Sequence, residues 1–255
     1  MPRYKLTIEY DGSGFFGWQA QPNATTVQGV LEAAVELLHG QPITLHGAGR
    51  TDTGVHALGQ IAHFDSPKVW DPFVLCNAIN GNVRPHAVSV LTAEEVDENF
   101  QARFSATGRR YLYRILNRRA PATIDRQKIW HVPMPLNVDA MHEGAQHLVG
   151  QHDFTTFRAA ECQAKTPVKT LDRLDVMRFD EMVEIRAEAR SFLHHQVRSM
   201  VGSLVQVGTG KWHPLEIKHA LDARDRARCG PVCPPDGLYL VEVLYAPPMG
   251  DRITP

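Results

Sequence analysis

Asp52 sits two residues after Arg50 in the stretch HGAGRTDTGVHALGQIAHF, from His46 to Phe64. From Gly47 to Gly59 there are four glycines, and only Val55 and Leu58 are bulky and apolar. Such a segment cannot form core, and it is too rich in glycine for a stable helix. Gly47, Gly49 and Gly54 permit positive φ angles and a tightly folded loop. The loop therefore holds a carboxylate beside a fixed cation. One reading is an Asx turn, in which Asp52 caps its own backbone. The other is a binding or catalytic group, because such groups concentrate on loops held by rigid elements.

Arg198 is the second residue of chemical interest. Val197, Met200, Val201, Leu204 and Val205 fall at helical spacing over His194 to Val207, and Arg198 borders that stripe. An arginine there is partly buried, and a buried cation needs a carboxylate. Ser191 to Lys211 contains no Asp or Glu. Either the side chain snorkels to solvent, or it meets a distant partner such as Asp52. Arg103 to Lys128 carries eight basic residues against one acid, Asp125. Phe104, Tyr111 and Tyr113 are interleaved. A solvated run of charge is the plain reading. The segment also reads as a strand, which lines basic and aromatic groups on one face and suits a phosphate backbone and unstacked bases.

Other signals are weaker. Gly12, Gly14 and Gly17 follow a strand and match a dinucleotide fingerprint, but WQAQPN comes next and the helix begins only near Thr25. The fingerprint needs a helix N-terminus at the glycines, so that reading is rejected. Phe15, Phe16 and Trp18 then pack the loop or touch a partner. Cys229 and Cys233 form CGPVC without a second ligand pair, so no metal site is expected. The four cysteines have no disulfide framework, which suits a reducing compartment. No apolar run approaches the roughly 20 residues of a membrane span, and MPRYKLTIEY has no signal core. A cytoplasmic protein is expected. Hydrophobic content of 43% and a net charge of −1 are ordinary for a globular chain and do not by themselves announce a nucleic-acid partner.

The elements that must position these residues repeat one order. Arg3 to Tyr10 alternates as a strand. Thr25 to Gln28 reads as a capping box opening a helix that Gly40 ends. Ile43 and Leu45 start a short strand, Gly59 to Asp65 another. Asp71-Pro72 opens a helix to about Asn80, and Ala87 to Leu91 is a strand. After a polar link come a strand at Arg110–Asn117, a helix at Ala140–Val149, strands at Leu171–Phe179 and Met182–Arg190, and the Arg198 helix. An extra short helix follows Pro214, and Leu238–Ala246 closes as a strand. The pattern is α/β (α+β): two ferredoxin-like β-α-β-β-α-β units, residues 1–104 with the Asp52 loop and 105–255 with the basic strand and Arg198. Their sheets can join edge to edge into one extended, mainly antiparallel sheet with helices on one face.

Six stretches carry a family resemblance: EYDGSGFFGWQ, GAGRTDTGVHALGQIAHF, NFQARFSATGRRYLYRI, HDFTTFR, SFLHHQVRSMVGSL and GLYLVEV. In this order, from Tyr4 to about Tyr245, they resemble the tRNA pseudouridine synthase A family. Thr53 stands where alanine is common. The resemblance implies isomerisation of uridine to pseudouridine at positions 38, 39 and 40 of the tRNA anticodon stem-loop. It implies no metal, nucleotide or redox cofactor, and a homodimer with tRNA across both subunits. Asp52 matches the family nucleophile, Arg198 the arginine paired with it, and Tyr111 the ring that stacks on the flipped base and handles a proton. Arg50, beside Asp52, is placed to hold a phosphate or fill the vacated space. Phe100, Gln101, Ala102, Arg103, Phe104, Arg109, Arg110, Arg158 and the Glu161–Lys165 segment, with Lys165, match tRNA-contacting positions. His56, His63, His194 and His195 are read as structural or RNA-contacting. A non-catalytic RNA-binding module is the competing class.

Overall fold

The computed structural model describes residues 1–246. The last nine residues, 247–255, which close the second expected unit, lie outside the described residues. The first half runs β1 (Arg3–Tyr10), α1 (Val27–His39), β2 (His46–Gly47), β3 (His56–Asp65), α2 (Pro72–Asn82) and β4 (Val88–Val96). The second runs β5 (Ala106–Leu116), β6 (Trp130–His131), α3 (Val138–Gln146), β7 (Gly150–Asp153), β8 (Val168–Phe179), β9 (Met182–Ala189), α4 (Gln196–Gly208), α5 (Leu215–Ala223) and β10 (Leu238–Tyr245).

One 10-stranded sheet contains every strand among the described residues, in the order β4-β1-β3-β10-β5-β9-β8-β7, with β2 on β3 and β6 on β5. The first half gives β4-β1-β3 with β2 beside β3, and the second gives β10-β5-β9-β8. Both are the ferredoxin-like order, and β7 extends the far edge. The halves join where β10 pairs with β3 in parallel, Tyr239 opposite His56 and Leu240 opposite Ala57. The edge-to-edge union expected from the pattern is therefore present.

Period-2 alternation decides which face is covered. Tyr4, Leu6, Ile8 and Tyr10 of β1 are buried, as are Val183, Ile185, Ala187 and Ala189 of β9. On the opposite face Arg110 stands in register with Glu188 and Glu242 and bonds both, at 2.9 and 2.8 Å. Two clusters fill the covered face. Leu31, Val35, Leu75 and Ile79 of α1 and α2 pack with β1 and β3, and Met200, Val201 and Leu204 of α4 pack with Met141 and β9. Burial of one such leucine contributes about 2 kcal/mol.

Several boundaries differ from the sequence reading. The cap of α1 is Thr26, whose side chain accepts from Gly29 N–H at 3.2 Å, rather than Thr25. Gln28 does not close a capping box; it meets Gln19 and Ala20 N–H of the preceding loop and donates to the Leu45 carbonyl beyond the helix. The strand expected at Ile43 and Leu45 forms only at His46–Gly47. α4 starts at Gln196, not His194, because His195 adopts a left-handed conformation, φ 60°. β4 and β5 are longer than alternation alone indicated, and the two-residue β6 and four-residue β7 were too short to show a period.

Candidate active site

The Asp52 loop joins β2 to β3 and is held at nearly every step. Gln60 donates to the Gly49 carbonyl at 2.9 Å, Trp18 N–H to the Thr51 carbonyl at 3.1 Å, and the Tyr10 hydroxyl meets Thr51 Oγ1 at 2.8 Å. Gly17, at φ +81°, explains one glycine of the N-terminal loop. A Cβ there would stand 2.6 Å from the Thr51 carbonyl oxygen. Gly12 lies against Val55 in the same way, at 2.1 Å. Gly12 and Gly17 of DGSGFFG thus seat the Asp52 loop. Phe15 and Trp18 pack this seat, while Phe16 is exposed.

Asp52 and Arg198 meet. Arg198 Nη1 donates to Asp52 Oδ2 at 3.2 Å, and its Nε donates to the Cys233 carbonyl at 2.9 Å. The second contact fixes the plane of the guanidinium. The Cys233 carbonyl is delivered by the segment after Gly230, which lies on the backbone of α4. A Cβ on Gly202 would fall 1.7 Å from the Pro231 carbonyl oxygen. The Arg198 side chain is only 14% exposed and that of Asp52 25%. His194 Nε2 stands 3.2 Å from Asp52 Oδ1, and His195 Nε2 3.3 Å from Oδ2. Burial pulls the His195 imidazole below its ordinary value, against the opposing charge of Asp52. Asp52, His194 and His195 bring one metal-ligating type of atom each to within 4.8 Å of the others, the one such cluster of His, Cys, Asp or Glu among the described residues, and Arg198 already shares the carboxylate.

Tyr111 of β5 stands on the covered face beside this group. Its ring packs edge-on against Phe192, centroids 5.1 Å apart. Burial first, then the charge of Asp52, pushes its phenol up to about 12. The ring remains partly accessible. An anchored carboxylate, a guanidinium and an accessible phenol ring suit a planar, uncharged ligand brought to a nucleophile.

A family model for tRNA pseudouridine synthase matches residues 6–105 and 145–246. The chain belongs to the tRNA pseudouridine synthase family. Pseudouridine synthases are isomerases. The tRNA pseudouridine synthase A of Parvibaculum lavamentivorans is 58% identical over 245 residues, covering 96% of this chain and all of that one. That of Nitrobacter hamburgensis is 60% identical over 245 residues, with the same coverage. A chain of a solved Cbf5-Nop10-Gar1 complex aligns over 79% of this chain and 45% of its own, at 11% identity and a TM-score of 0.35.

The remaining family positions fall in different surroundings. Arg50 is exposed. Phe100 packs between His63 and Tyr245, and Ala102 is buried, donating its N–H to His63 Nδ1 at 3.1 Å. Gln101 is exposed, and Arg103 lies over the exposed Phe104 ring at 5.5 Å. Arg158 is partly exposed and Lys165 exposed. Arg110 points to the opposite face, bound to two glutamates. Arg109 shares the face of Tyr111, but its guanidinium is taken up by backbone carbonyls. His56 is structural: Gly12 N–H donates to its Nδ1 at 3.0 Å, and its Nε2 meets the Gln127 carbonyl at 2.9 Å. The proximity of His194 and His195 to Asp52 was not read from sequence. Their positions, four and three residues before Arg198, were the available signal. The left-handed turn that aims them has none.

Proposed function

We propose that this protein isomerises uridine to pseudouridine in the anticodon stem-loop of tRNA, at positions 38 to 40, with Asp52 as nucleophile. The contact between Asp52 and Arg198 carries this reading: a carboxylate on a rigid loop has its charge balanced while its side chain stays 25% exposed. The target uridine is flipped from its stack, at about a few kcal/mol. Asp52 adds to the nucleoside, the C1′–N1 bond breaks, and the uracil turns. C5 bonds to C1′, the bond to Asp52 breaks and returns the carboxylate, the C5 proton leaves to solvent, and N1 takes one from solvent. Tyr111 supports the flipped base by stacking. At a pKa near 12 only about one part in 10⁵ of its phenol is ionised at pH 7, so it enters as a neutral hydroxyl.

The exposed Arg50, Arg103, Phe104 and Lys165, with the partly exposed Arg158, are proposed as the tRNA contacts. We further infer two halves, 1–104 and 105–255, each bringing part of the site: Asp52 from the first, Tyr111 and Arg198 from the second. A homodimer bridged by one tRNA, acting in the cytoplasm, completes the reading. No helix among the described residues is long and apolar enough to cross a membrane.

The test is release of tritium from unmodified tRNA labelled at uridine C5. The protein should release label, and Asp52→Asn should release none while binding tRNA within a few-fold of the parent. Binding without release by the unaltered protein would instead identify an RNA-binding module.

A further inference from the structure

Arg109 touches three segments of the active site through their backbones. Its Nη2 donates to the Ala48 carbonyl at 2.9 Å and to the Arg103 carbonyl at 3.0 Å. Its Nη1 donates to the Arg190 carbonyl at 2.7 Å. Ala48 is the foot of the Asp52 loop. Arg103 belongs to the exposed basic and aromatic segment. Arg190 begins the turn that carries His194, His195 and Arg198. Arg109 itself is fixed in β5, opposite Ala189 and Val243, and two residues from Tyr111 on the same face.

From this geometry we propose that Arg109 is a positioning residue that sets the Asp52 loop, the 100–104 segment and the 190–195 turn relative to one another. The chemistry favours an arginine here. A planar guanidinium offers five donors in a rigid fork, and three of them are spent on carbonyls from three separate segments. A lysine ammonium is a point charge and cannot span the same acceptors. With its Nη2 fully used, Arg109 is poorly placed to grip a phosphate. That separates it from Arg50 and Arg103, whose guanidinium groups are exposed.

The inference concerns how the site is assembled. Only its kinetic readout rests on the isomerase reading, because amide exchange reports on it without any activity. Arg109→Met keeps the apolar stem, and Arg109→Lys keeps the charge. Hydrogen exchange should accelerate in residues 48–55, 100–104 and 190–196 together in both variants, with the rest of the sheet unchanged. Single-turnover isomerisation should fall about tenfold to a hundredfold, since small misplacements carry that effect. The Kd for unmodified tRNA should stay within a few-fold, and its dependence on salt should keep the parental slope. A slope shallower by about one, with exchange unchanged, marks a phosphate contact and overturns the proposal. So does faster exchange in only one segment, or parental exchange and rates in Arg109→Lys.

Discussion

Arg198 reaches Asp52 across 146 positions of sequence, with 3.2 Å between Nη1 and Oδ2. The two residues lie on opposite sides of the seam between β3 and β10, so the site exists only when the two halves of the sheet are joined. Breaking this pair is the most direct way to separate folding from chemistry. Arg198→Met leaves Asp52 without its cation and the Cys233 carbonyl without its donor. The expected loss is about 1–3 kcal/mol of stability, reduced from the fully buried case because water reaches Asp52. Isomerisation should fall about a hundredfold or more. Urea denaturation and single-turnover assays measure both, and a variant of parental stability and rate would show the pair to be incidental.

Tyr111→Phe should retain tRNA affinity, because the ring and its contact with Phe192 survive. Only the hydroxyl is lost. With that phenol held up to about 12, the parental rate should show no tyrosine ionisation between pH 6 and about pH 10. A basic limb near pH 9 that vanishes in Tyr111→Phe would contradict the environment described here.

His63 makes stability sensitive to acid. Burial first, then the charges of Arg3 and His46, pull its imidazole down to about 4. Between that value and about 6.5 the unfolded chain binds a proton that the native chain refuses. Stability is therefore complete above about pH 6.5 and falls as pH drops through the window, by about 2–4 kcal/mol at its foot. Protonation also removes the acceptor of Ala102 N–H, so the 100–104 segment should loosen first. Urea denaturation at pH 7 and pH 5 should show a smaller difference in His63→Gln than in the parent. Equal differences would assign the acid sensitivity to other groups.

Gly17→Ala tests the seat of the Asp52 loop from outside the loop. A positive φ of 81° strains any L side chain, and the new Cβ would meet the Thr51 carbonyl oxygen at 2.6 Å. A loss of about 2 kcal/mol or more is expected, with a lower kcat at unchanged KM as Thr51 and Asp52 shift. Parental stability in denaturation would mean that the loop yields at no cost.

Much of this protein was written locally. Alternation in β1 and β9, the apolar stripe of α4, and Asp71 and Pro72 at the start of α2 each follow from neighbours within a few residues, and the doubled order of elements follows from them. The order of residues in the Asp52 stretch was enough to mark a rigid loop holding a carboxylate. The missing acid around Arg198 was enough to ask for a distant one. Spacing alone offered Asp52 only as a candidate partner, and the family resemblance named it. Register between β3 and β10, the seating of Gly202 under Pro231, and the left-handed turn at His195 are settled by packing between segments far apart in the chain. The same holds for Arg109 and Arg110: one charge run reads alike along its length, but the pleat sends one guanidinium to three carbonyls of the site and the next to two glutamates on the far side. Local spacing determines which face a side chain takes, and only the closed sheet determines what it meets there.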